Sequence, residues 1–329
     1  MTMDAPASVE VIGGGPAGCA AALAALGQGA RVALFEKSRF PRHKVCGEFL
    51  SPEIGPLLEA LGVGRRFQEA GPARITRAVL HAGGRVKRFP LPRPAFGLSR
   101  AALDGLLLEE ALRRGAELHL ERRRPEARAG SALVVAHGRA TRQDAGRRLF
   151  GFKAHCADPR APNTDGSVEL YFFDGGYAGV SPVEGGAVNV CGLAPEEDLR
   201  ACGFRPEELL PAPLRDLERR FDWLLTGPLV QRDSFHRRED AYLAGDALGF
   251  VDPFTGSGIL AALLTGRLAG QAASGGLAFG DYYAQCRRML RRQYRVASAL
   301  RGMLGDGLWT RVALCLPGSL LYRLTRPRI

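Results

Sequence analysis

Residues Val9–Glu36 read VEVIGGGPAGCAAALAALGQGARVALFE, and this stretch decides the fold class. Its short apolar start predicts a strand, and the run Gly13–Gly18 predicts a tight turn before an Ala/Leu-rich helix and a second strand. A transmembrane helix is the alternative, because Val11–Ala30 carries no charge over about the length that a bilayer requires. Four glycines and a proline within the first eight of those residues argue against a membrane span. The stretch therefore predicts a strand–turn–helix–strand unit of an α/β fold.

The glycines in this turn match the pattern G-x-G-x-x-G at Gly13, Gly15 and Gly18. The first glycine allows the tight turn, the second lets a pyrophosphate approach the backbone, and the third lets the helix pack on the strand. The helix N-terminus offers free N–H groups and a positive dipole end to phosphates. Glu36 follows Gly18 by 18 residues, at a strand end where a carboxylate can bind an adenosine ribose hydroxyl. We predict a dinucleotide site whose residues in this stretch are Gly13, Gly15, Pro16, Ala17, Gly18, Glu36 and Lys37.

The composition is that of a soluble globular protein of 329 residues with a formal net charge of +11. Only four of the 45 basic residues are lysines, at positions 37, 44, 87 and 153, and no nucleic-acid-binding motif accompanies the 41 arginines. We interpret this bias mainly as base composition of the source genome, with attraction to anionic substrates or membrane surfaces as a lesser alternative. The seven cysteines lack C-x-x-C spacing, so we predict neither a metal site nor a disulfide framework. Because the first residues do not form a signal peptide, we expect a cytoplasmic protein.

The rest of the chain divides into strand-forming and helical segments. Residues 75–82 and 85–91 predict a hairpin, and residues 101–114 predict an amphipathic helix. Residues 149–156, 168–173, 176–183 and 187–193 predict successive antiparallel strands, and residues 196–225 predict a mostly helical segment interrupted by prolines. We expect a discontinuous cofactor-binding domain at residues 1–74, 95–148 and 231–280, an antiparallel-sheet substrate domain at residues 75–94 and 149–230, and a helical C-terminal tail at residues 281–329.

A second glycine-rich stretch, YLAGDALGFVDPFTGSGI at Tyr242–Ile259, predicts a strand, a Gly-Asp pair and a turn into a long apolar helix. Asp246 stands at the strand end, where a carboxylate can accept a hydrogen bond from a polyol hydroxyl. The helix start at Gly256 and Gly258 presents N–H donors to an electron-rich ring carbonyl.

The GGGPAG turn, the segment LSRAALDGLL in the middle of the chain and this second stretch together resemble FAD-dependent oxidoreductases of the geranylgeranyl reductase type. The same class includes flavin aromatic hydroxylases and flavin-dependent halogenases. The resemblance covers about residues 1–295 and implies a Rossmann-like FAD-binding domain interleaved with an antiparallel β-sheet substrate domain. It places Arg100 near the pyrophosphate or the flavin, Gly245 and Asp246 at the ribityl chain, and Cys46 and Gly47 beside the flavin ring. The residues that it places at the isoalloxazine are Pro253, Gly256, Gly258 and Ile259.

Two side chains are the candidates for a direct chemical role. Cys46 is either a small apolar residue in a tight turn or a group with a redox or acid role, and Tyr177 offers a polar handle on the substrate side. We interpret His43 and His155 as surface or packing histidines, and Arg42 as a solvated loop charge.

The sequence departs from the family pattern at two places that bear on function. Many relatives carry Ala-Asp-Gly-Arg after the buried strand, where this chain has Ala136-His137-Gly138-Arg139. Reductases of this type carry Tyr-x-Trp-x-Phe-Pro, and Gly179 and Ser181 here replace the two large aromatic residues. Their loss removes a large apolar wall and reshapes the cavity.

We therefore predict an FAD enzyme, reduced by NADH or NADPH, that transfers a hydride or an electron pair to or from an apolar isoprenoid, polyketide-like or fatty substrate. The alternatives are an FAD-dependent monooxygenase and a non-catalytic flavin- or dinucleotide-binding protein. The apolar, Arg-flanked tail suggests contact with a membrane surface.

Overall fold

The computed structural model describes residues 7–121, 130–139, 148–157, 166–230, 235–249, 256–303, 316–318, 320 and 322. The first unit consists of β1 (Ser8–Ile12), α1 (Pro16–Gly27) and β2 (Arg31–Glu36), as the opening stretch predicts. A five-stranded sheet, with the order β13-β7-β1-β2-β6, adds β6 (Glu117–Leu120), β7 (Ser131–Val135) and β13 (Tyr242–Leu243). All its pairings are parallel, and its central strand β1 has no exposed side chain after Ser8. This is the Rossmann-like α/β sheet that the sequence predicts.

Helices pack on this sheet and contribute most of the side chains of the hydrophobic core between them. These are α4 (Arg100–Arg113), α7 (Gly258–Gly275) and α8 (Phe279–Met303), together with α1. Helix α7 lies directly on α1, and two glycines make the close approach possible: a Cβ at Gly266 or Gly270 would stand 2.1 Å from the backbone oxygen of Ala17 or Ala21. This packing fixes the start of α7 next to the glycine turn. Helices α2 (Ile54–Ala60) and α3 (Gly64–Glu69) complete the layer.

An eight-stranded sheet has the order β12-β8-β11-β10-β9-β4-β5-β3. Its strands are β3 (Phe49–Leu50), β4 (Ala73–Ala82), β5 (Arg85–Gly97), β8 (Arg148–Cys156), β9 (Ser167–Phe173), β10 (Gly176–Pro182), β11 (Val188–Pro195) and β12 (Leu224–Val230). The prediction of an antiparallel sheet is confirmed for six of its seven strand pairings and is wrong for one, because β4 pairs with β9 in parallel. These two strands are far apart in the chain, so no tight turn forces them to run in opposite directions. The sheet is mixed.

The segment at residues 196–225 is less helical than the pattern predicts. Only α5 (Glu196–Ala201) and α6 (Ala212–Arg215) are helices, with one 3₁₀ turn between them, and the chain joins the large sheet as β12 from Leu224. Pro206, Pro211 and Pro213 each remove a backbone donor, so no helix in this segment extends beyond about two turns. Among the described residues, no helix is long and apolar enough to cross a membrane.

Candidate functional site

The turn between β1 and α1 has two glycines that the protein backbone itself requires. Gly13 has φ +104°, and a Cβ there would stand 2.4 Å from the backbone oxygen of Ala136. A Cβ at Gly18 would stand 1.7 Å from the oxygen of Gly13. Both positions therefore exclude every side chain, the first by conformation and contact and the second by helix–strand packing.

Gly15 differs from these two glycines. It lies just before α1 with φ −83° and ψ −174°, an extended conformation that any residue adopts. The nearest atom to a Cβ at this position would be the Arg100 Nη2, at 3.6 Å. Since neither conformation nor protein contacts demand a glycine here, the open space above Gly15 fits a ligand that approaches the backbone closely.

Glu36 is buried at the end of β2 and accepts three hydrogen bonds. Its Oε2 accepts from the Gly14 N–H at 2.8 Å and from Arg42 at 2.9 Å, and its Oε1 accepts from the Ser38 N–H at 2.8 Å. The interpretation of Arg42 as a solvated charge is wrong, because its side chain is only 12% exposed and forms an ion pair with Glu36. Lys37, the next residue, is exposed.

Arg100 connects several of the predicted site residues. It is the first residue of α4, and its guanidinium donates to both carboxylate oxygens of Asp104 at 2.7 Å. Burial alone would lower the pKa of Arg100, but Asp104 and the Cys46 sulfur outweigh burial and raise it. The guanidinium also lies beside Gly15, so the glycine turn, Arg100 and Cys46 converge on one region.

Asp246 lies in the 3₁₀ turn Gly245–Ala247 that follows β13, and it completes this region. Its side chain reaches solvent, yet the surrounding protein raises the pKa of its carboxyl through desolvation, which Arg100 and Arg139 partly oppose. The preceding Gly245 has φ +60°, and a Cβ there would stand 2.9 Å from the Ala17 Cβ. The two glycine-rich stretches, far apart in the chain, therefore touch at this point.

At the start of α7, the predicted isoalloxazine residues have different surroundings. A Cβ at Gly256 would stand 3.1 Å from the Phe49 ring, whereas a Cβ at Gly258 would meet no atom within 4 Å. The Ile259 side chain is buried in the core, so only its backbone is available to a cofactor. Pro253 lies outside the described residues.

Cys46 is held in place through its backbone, and burial raises the pKa of its thiol, which disfavours the thiolate. Its carbonyl accepts from the Asn189 Nδ2 at 3.0 Å, and its sulfur accepts from the Glu48 N–H at 3.4 Å. Gly47 between them is exposed, with no atom within 4 Å of a Cβ at that position. The Cys-Gly pair therefore forms the tight turn that delivers Glu48 to the interior.

Glu48 is the centre of a buried ionic cluster that the sequence analysis missed. One carboxylate oxygen accepts from Lys153 and, at 2.5 Å, from the Arg100 N–H, and the other lies 2.6 Å from the His155 Nε2. Glu48 and Lys153 are completely buried. Desolvation would raise the pKa of Glu48, but His155 and Lys153 outweigh it and lower the pKa. The carboxylate is therefore ionised and shared among its donors.

A cleft of about 490 Å³ opens beside this cluster. His43 and His155 line it, with their ring centroids 4.9 Å apart, and Phe221 stacks on His43 at 4.7 Å. Burial and the charges of Lys153 and His155 lower the pKa of His43. His155 is thus a hydrogen-bonded member of the cluster rather than a packing histidine.

Tyr177 lies away from this cleft. It is 5% exposed and packs with Leu149 and Leu193 in a small apolar cluster, to which Phe172 and Leu170 add partly buried surface. Strand alternation puts these residues on the same face of the large sheet as Lys153 and His155. The opposite face of the sheet packs against α5 and α6.

The comparisons with known proteins agree with this geometry. A model of the FAD dependent oxidoreductase family matches residues 8–42. The menaquinone reductase of Mycolicibacterium smegmatis is 28% identical over 351 residues, which cover 89% of this chain and 82% of that protein. Digeranylgeranylglycerophospholipid reductase 2 of Methanopyrus kandleri is 26% identical over 312 residues, which cover 81% of this chain and 76% of that protein. Over most of its length the chain is similar to FAD-dependent oxidoreductases.

The fold of this oxidoreductase is shared with enzymes of another reaction type. The crystal structure of CmlS, a flavin-dependent halogenase, superposes with a TM-score of 0.75 at 22% identity, covering 99% of this chain and 68% of that one. At this identity the likeness shows the fold alone, and the reaction has to be argued from the site.

The described residues of this oxidoreductase fit FAD at both ends. The open space above Gly15 at the N-terminus of α1 suits a pyrophosphate, and the solvent-accessible carboxylate of Asp246 suits a polyol chain. Glu36 stands at the strand end where an adenosine ribose binds in this fold class. The glycine motifs predict these positions because each motif reflects a requirement of the local backbone. No glycine motif marks Glu48, Lys153 and His155 together.

Proposed function

We propose that this FAD-dependent oxidoreductase reduces an apolar substrate that carries an isoprenoid chain, with NADH or NADPH as the electron donor. One observation carries the proposal: two relatives that match over more than four-fifths of this chain are both reductases, of menaquinone and of a digeranylgeranyl glycerophospholipid. Both of these substrates are isoprenoid lipids. A match of that extent includes the large sheet as well as the FAD-binding elements.

The inner face of the large sheet supports an apolar substrate. Leu149, Tyr177 and Leu193 are buried together on this face, with Leu170 and Phe172 beside them. Gly179 and Ser181 occupy the positions where reductases of this type carry large aromatic residues. In this chain Leu170 packs close to Gly179, so the wall that the two aromatic residues would form is replaced by a differently shaped apolar surface.

The chemistry that FAD supplies when bound is the storage of an electron pair between the nicotinamide donor and the substrate. The protein residues position and tune that cofactor. Gly15 leaves the backbone N–H groups of α1 open to phosphate, and Arg100 brings a permanent positive charge, because its ion pair with Asp104 keeps it protonated. Asp246 offers a hydrogen-bond acceptor to the ribityl hydroxyls.

The test is a sequence of spectroscopic and product measurements on the purified protein. We expect a flavin absorption spectrum from non-covalently bound FAD, bleaching by NADH or NADPH without oxygen, and return of the spectrum on adding an isoprenoid quinone. Oxygen consumption that matches a hydroxylated product would identify a monooxygenase instead. A protein that binds FAD but transfers no electrons to any isoprenoid quinone or alkene would refute the proposed substrate class.

We also propose that the C-terminal region contacts a membrane surface, which would bring the enzyme to a lipid substrate. In the described part of α8, Tyr282, Cys286 and Leu290 are buried whereas Arg287 and Arg291 are exposed. An exposed row of arginines attracts anionic lipid headgroups. Further along, Tyr322 is buried against the protein and its hydroxyl contacts Glu53, so this short segment is docked on the protein.

A further inference from the structure

The one completely buried cation among the described residues of the large sheet is a lysine. Lys153 lies in β8 with no exposed surface, in a chain that contains four lysines and 41 arginines. Arginine remains protonated at any physiological pH, whereas a buried lysine can release its proton. Almost every other basic residue of the chain is an arginine. The lysine at this position therefore indicates a role as a proton donor.

Glu48 connects this lysine to a histidine. Lys153 donates to one carboxylate oxygen, and the other lies 2.6 Å from the His155 Nε2. The backbone of Glu48 has φ +54°, which a residue other than glycine adopts only when its surroundings enforce it. The strained backbone holds the carboxylate between the ammonium of Lys153 and the imidazole of His155.

The cluster runs from the cleft into the interior along the inner face of the large sheet, which carries both His155 and Lys153. At the solvent side, His155 meets His43, and both rings line the cleft. At the buried end, Lys153 pairs across the strands with Cys191 of β11, whose side chain lies on the same face of the sheet. The other charged groups that line the cleft beside the histidines are Glu184 and Arg220. Hydrogen bonds thus join Lys153, Glu48 and His155, and the His43 ring meets the His155 ring edge-on at the cleft end of the cluster.

We propose that His43, His155, Glu48 and Lys153 form a proton relay that carries a proton from the cleft, along the inner face of the large sheet, to Lys153, which delivers it to the substrate. This inference rests on the proposed reductase function. Reduction of one double bond adds an electron pair and two protons to the substrate. When bound, the family's redox cofactor would supply the electron pair and one of the protons as a hydride. Lys153 supplies the second proton by breaking one N–H bond, and it is reprotonated through Glu48 and His155, with His43 taking a proton from water in the cleft.

A metal site is the competing interpretation of three of these residues. One ligand atom from each of His43, Glu48 and His155 lies within 4.8 Å of the others. However, both oxygens of Glu48 already accept from Lys153 or His155, and the buried ammonium repels a divalent cation. The charge arrangement favours protons over a metal.

The first test compares two electron acceptors in the FAD-loaded protein. Menadione takes up protons with its electrons, whereas ferricyanide takes electrons only. In Lys153→Arg, which keeps the charge but cannot release a proton, and in His43→Gln at the exposed end, we expect reoxidation by menadione to slow at least tenfold. The rate of reoxidation by ferricyanide is expected to stay within about twofold of the wild-type rate. Added imidazole should restore part of the menadione rate that His43→Gln loses. Lys87→Arg, on β5 outside the cluster, is the matched control and should behave as the wild type.

Several results would overturn the relay. Equal slowing with both acceptors would indicate a structural role, and unchanged rates with menadione would show that these residues carry no proton. Stoichiometric zinc bound after dialysis against Zn²⁺ would favour the metal site.

A second test needs no turnover and separates the relay from the proposed function. NMR titration of the histidine rings should show that Lys153→Gln moves the pKa of His43 upward toward its ordinary value, because the lysine charge that lowers it is gone. Unchanged histidine titrations would refute the coupling and with it the relay. If the wild type passes electrons to ferricyanide but never to a quinone, the proposed substrate class fails while the titration still decides the relay.

Discussion

Gly15→Ala tests whether the glycine turn is built for a ligand rather than for folding. The residue has an ordinary extended backbone, and an added methyl group would meet only the Arg100 guanidinium, at 3.6 Å. The free energy of unfolding of the apoprotein should therefore change by no more than about 0.5 kcal/mol. The methyl group would instead occupy the space that we assign to the pyrophosphate. Overpacking of about 1–3 kcal/mol corresponds to a loss of FAD affinity of roughly 5- to 150-fold.

Gly13→Ala is the matched control in the same turn. Its methyl group would stand 2.4 Å from a backbone oxygen, in a residue with φ +104°. A left-handed conformation costs about 1–2 kcal/mol, and the overlap adds about 1–3 kcal/mol, so this variant should be destabilised by roughly 2–5 kcal/mol even without FAD. The two substitutions should thus have different effects: Gly15→Ala weakens FAD binding, and Gly13→Ala destabilises the fold.

The assay pairs denaturant unfolding of each apoprotein with a titration of FAD followed by flavin fluorescence. Gly15→Ala should keep the wild-type unfolding midpoint and lose the additional stability that FAD confers on the wild type. If Gly15→Ala bound FAD as tightly as the wild type, no phosphate would approach this backbone. If its apoprotein were as unstable as Gly13→Ala, the glycine would be required for folding, and the assignment of the space to a ligand would be wrong.

Three further predictions concern packing, acid stability and the tail. Gly266→Ala should lower the free energy of unfolding by about 2–3 kcal/mol in denaturant titrations, because its methyl group would meet the α1 backbone at 2.1 Å. The control is Gly105→Ala in α4, whose methyl group would meet no atom within 4 Å, so this variant should be neutral or slightly stabilising. Equal effects of the two substitutions would refute the close α1–α7 packing. Hydrogen bonds from two arginines lower the pKa of Glu110 from 4.5 to about 2, so its contribution is complete above about pH 4.5 and is lost as the pH falls toward 2. Since those arginines are partly exposed, Glu110→Gln should remove about 1–2 kcal/mol at neutral pH and flatten the acid limb of the stability curve; an acid limb as steep as that of the wild type would contradict this. Replacing Arg287 and Arg291 together by glutamate should reduce sedimentation with anionic liposomes, and partitioning equal to that of the wild type would end the membrane proposal.

The sequence alone predicts the parts of this protein whose physical cause is local. The first β–α–β unit, the second strand–turn–helix and the hairpin of β4 and β5 follow from periodicity and from glycines at fixed spacing. The family follows from the same motifs, because a phosphate-binding turn restricts the backbone of consecutive residues. Gly15, Arg100 and Asp246 are among the described residues that these motifs select. They lie in one region, as the resemblance implies.

Only the tertiary structure reveals the groups that meet across the chain. Glu48 meets Lys153 and His155 although more than 100 residues separate them, and Arg42 turns back onto Glu36 instead of facing solvent. The parallel pairing of β4 with β9 and the position of Tyr177 away from the cleft likewise depend on strand order and register. A motif records what consecutive backbone atoms require. The side chains of a buried ionic cluster are brought together by sheet pairing, which leaves no spacing in the sequence for a pattern to detect.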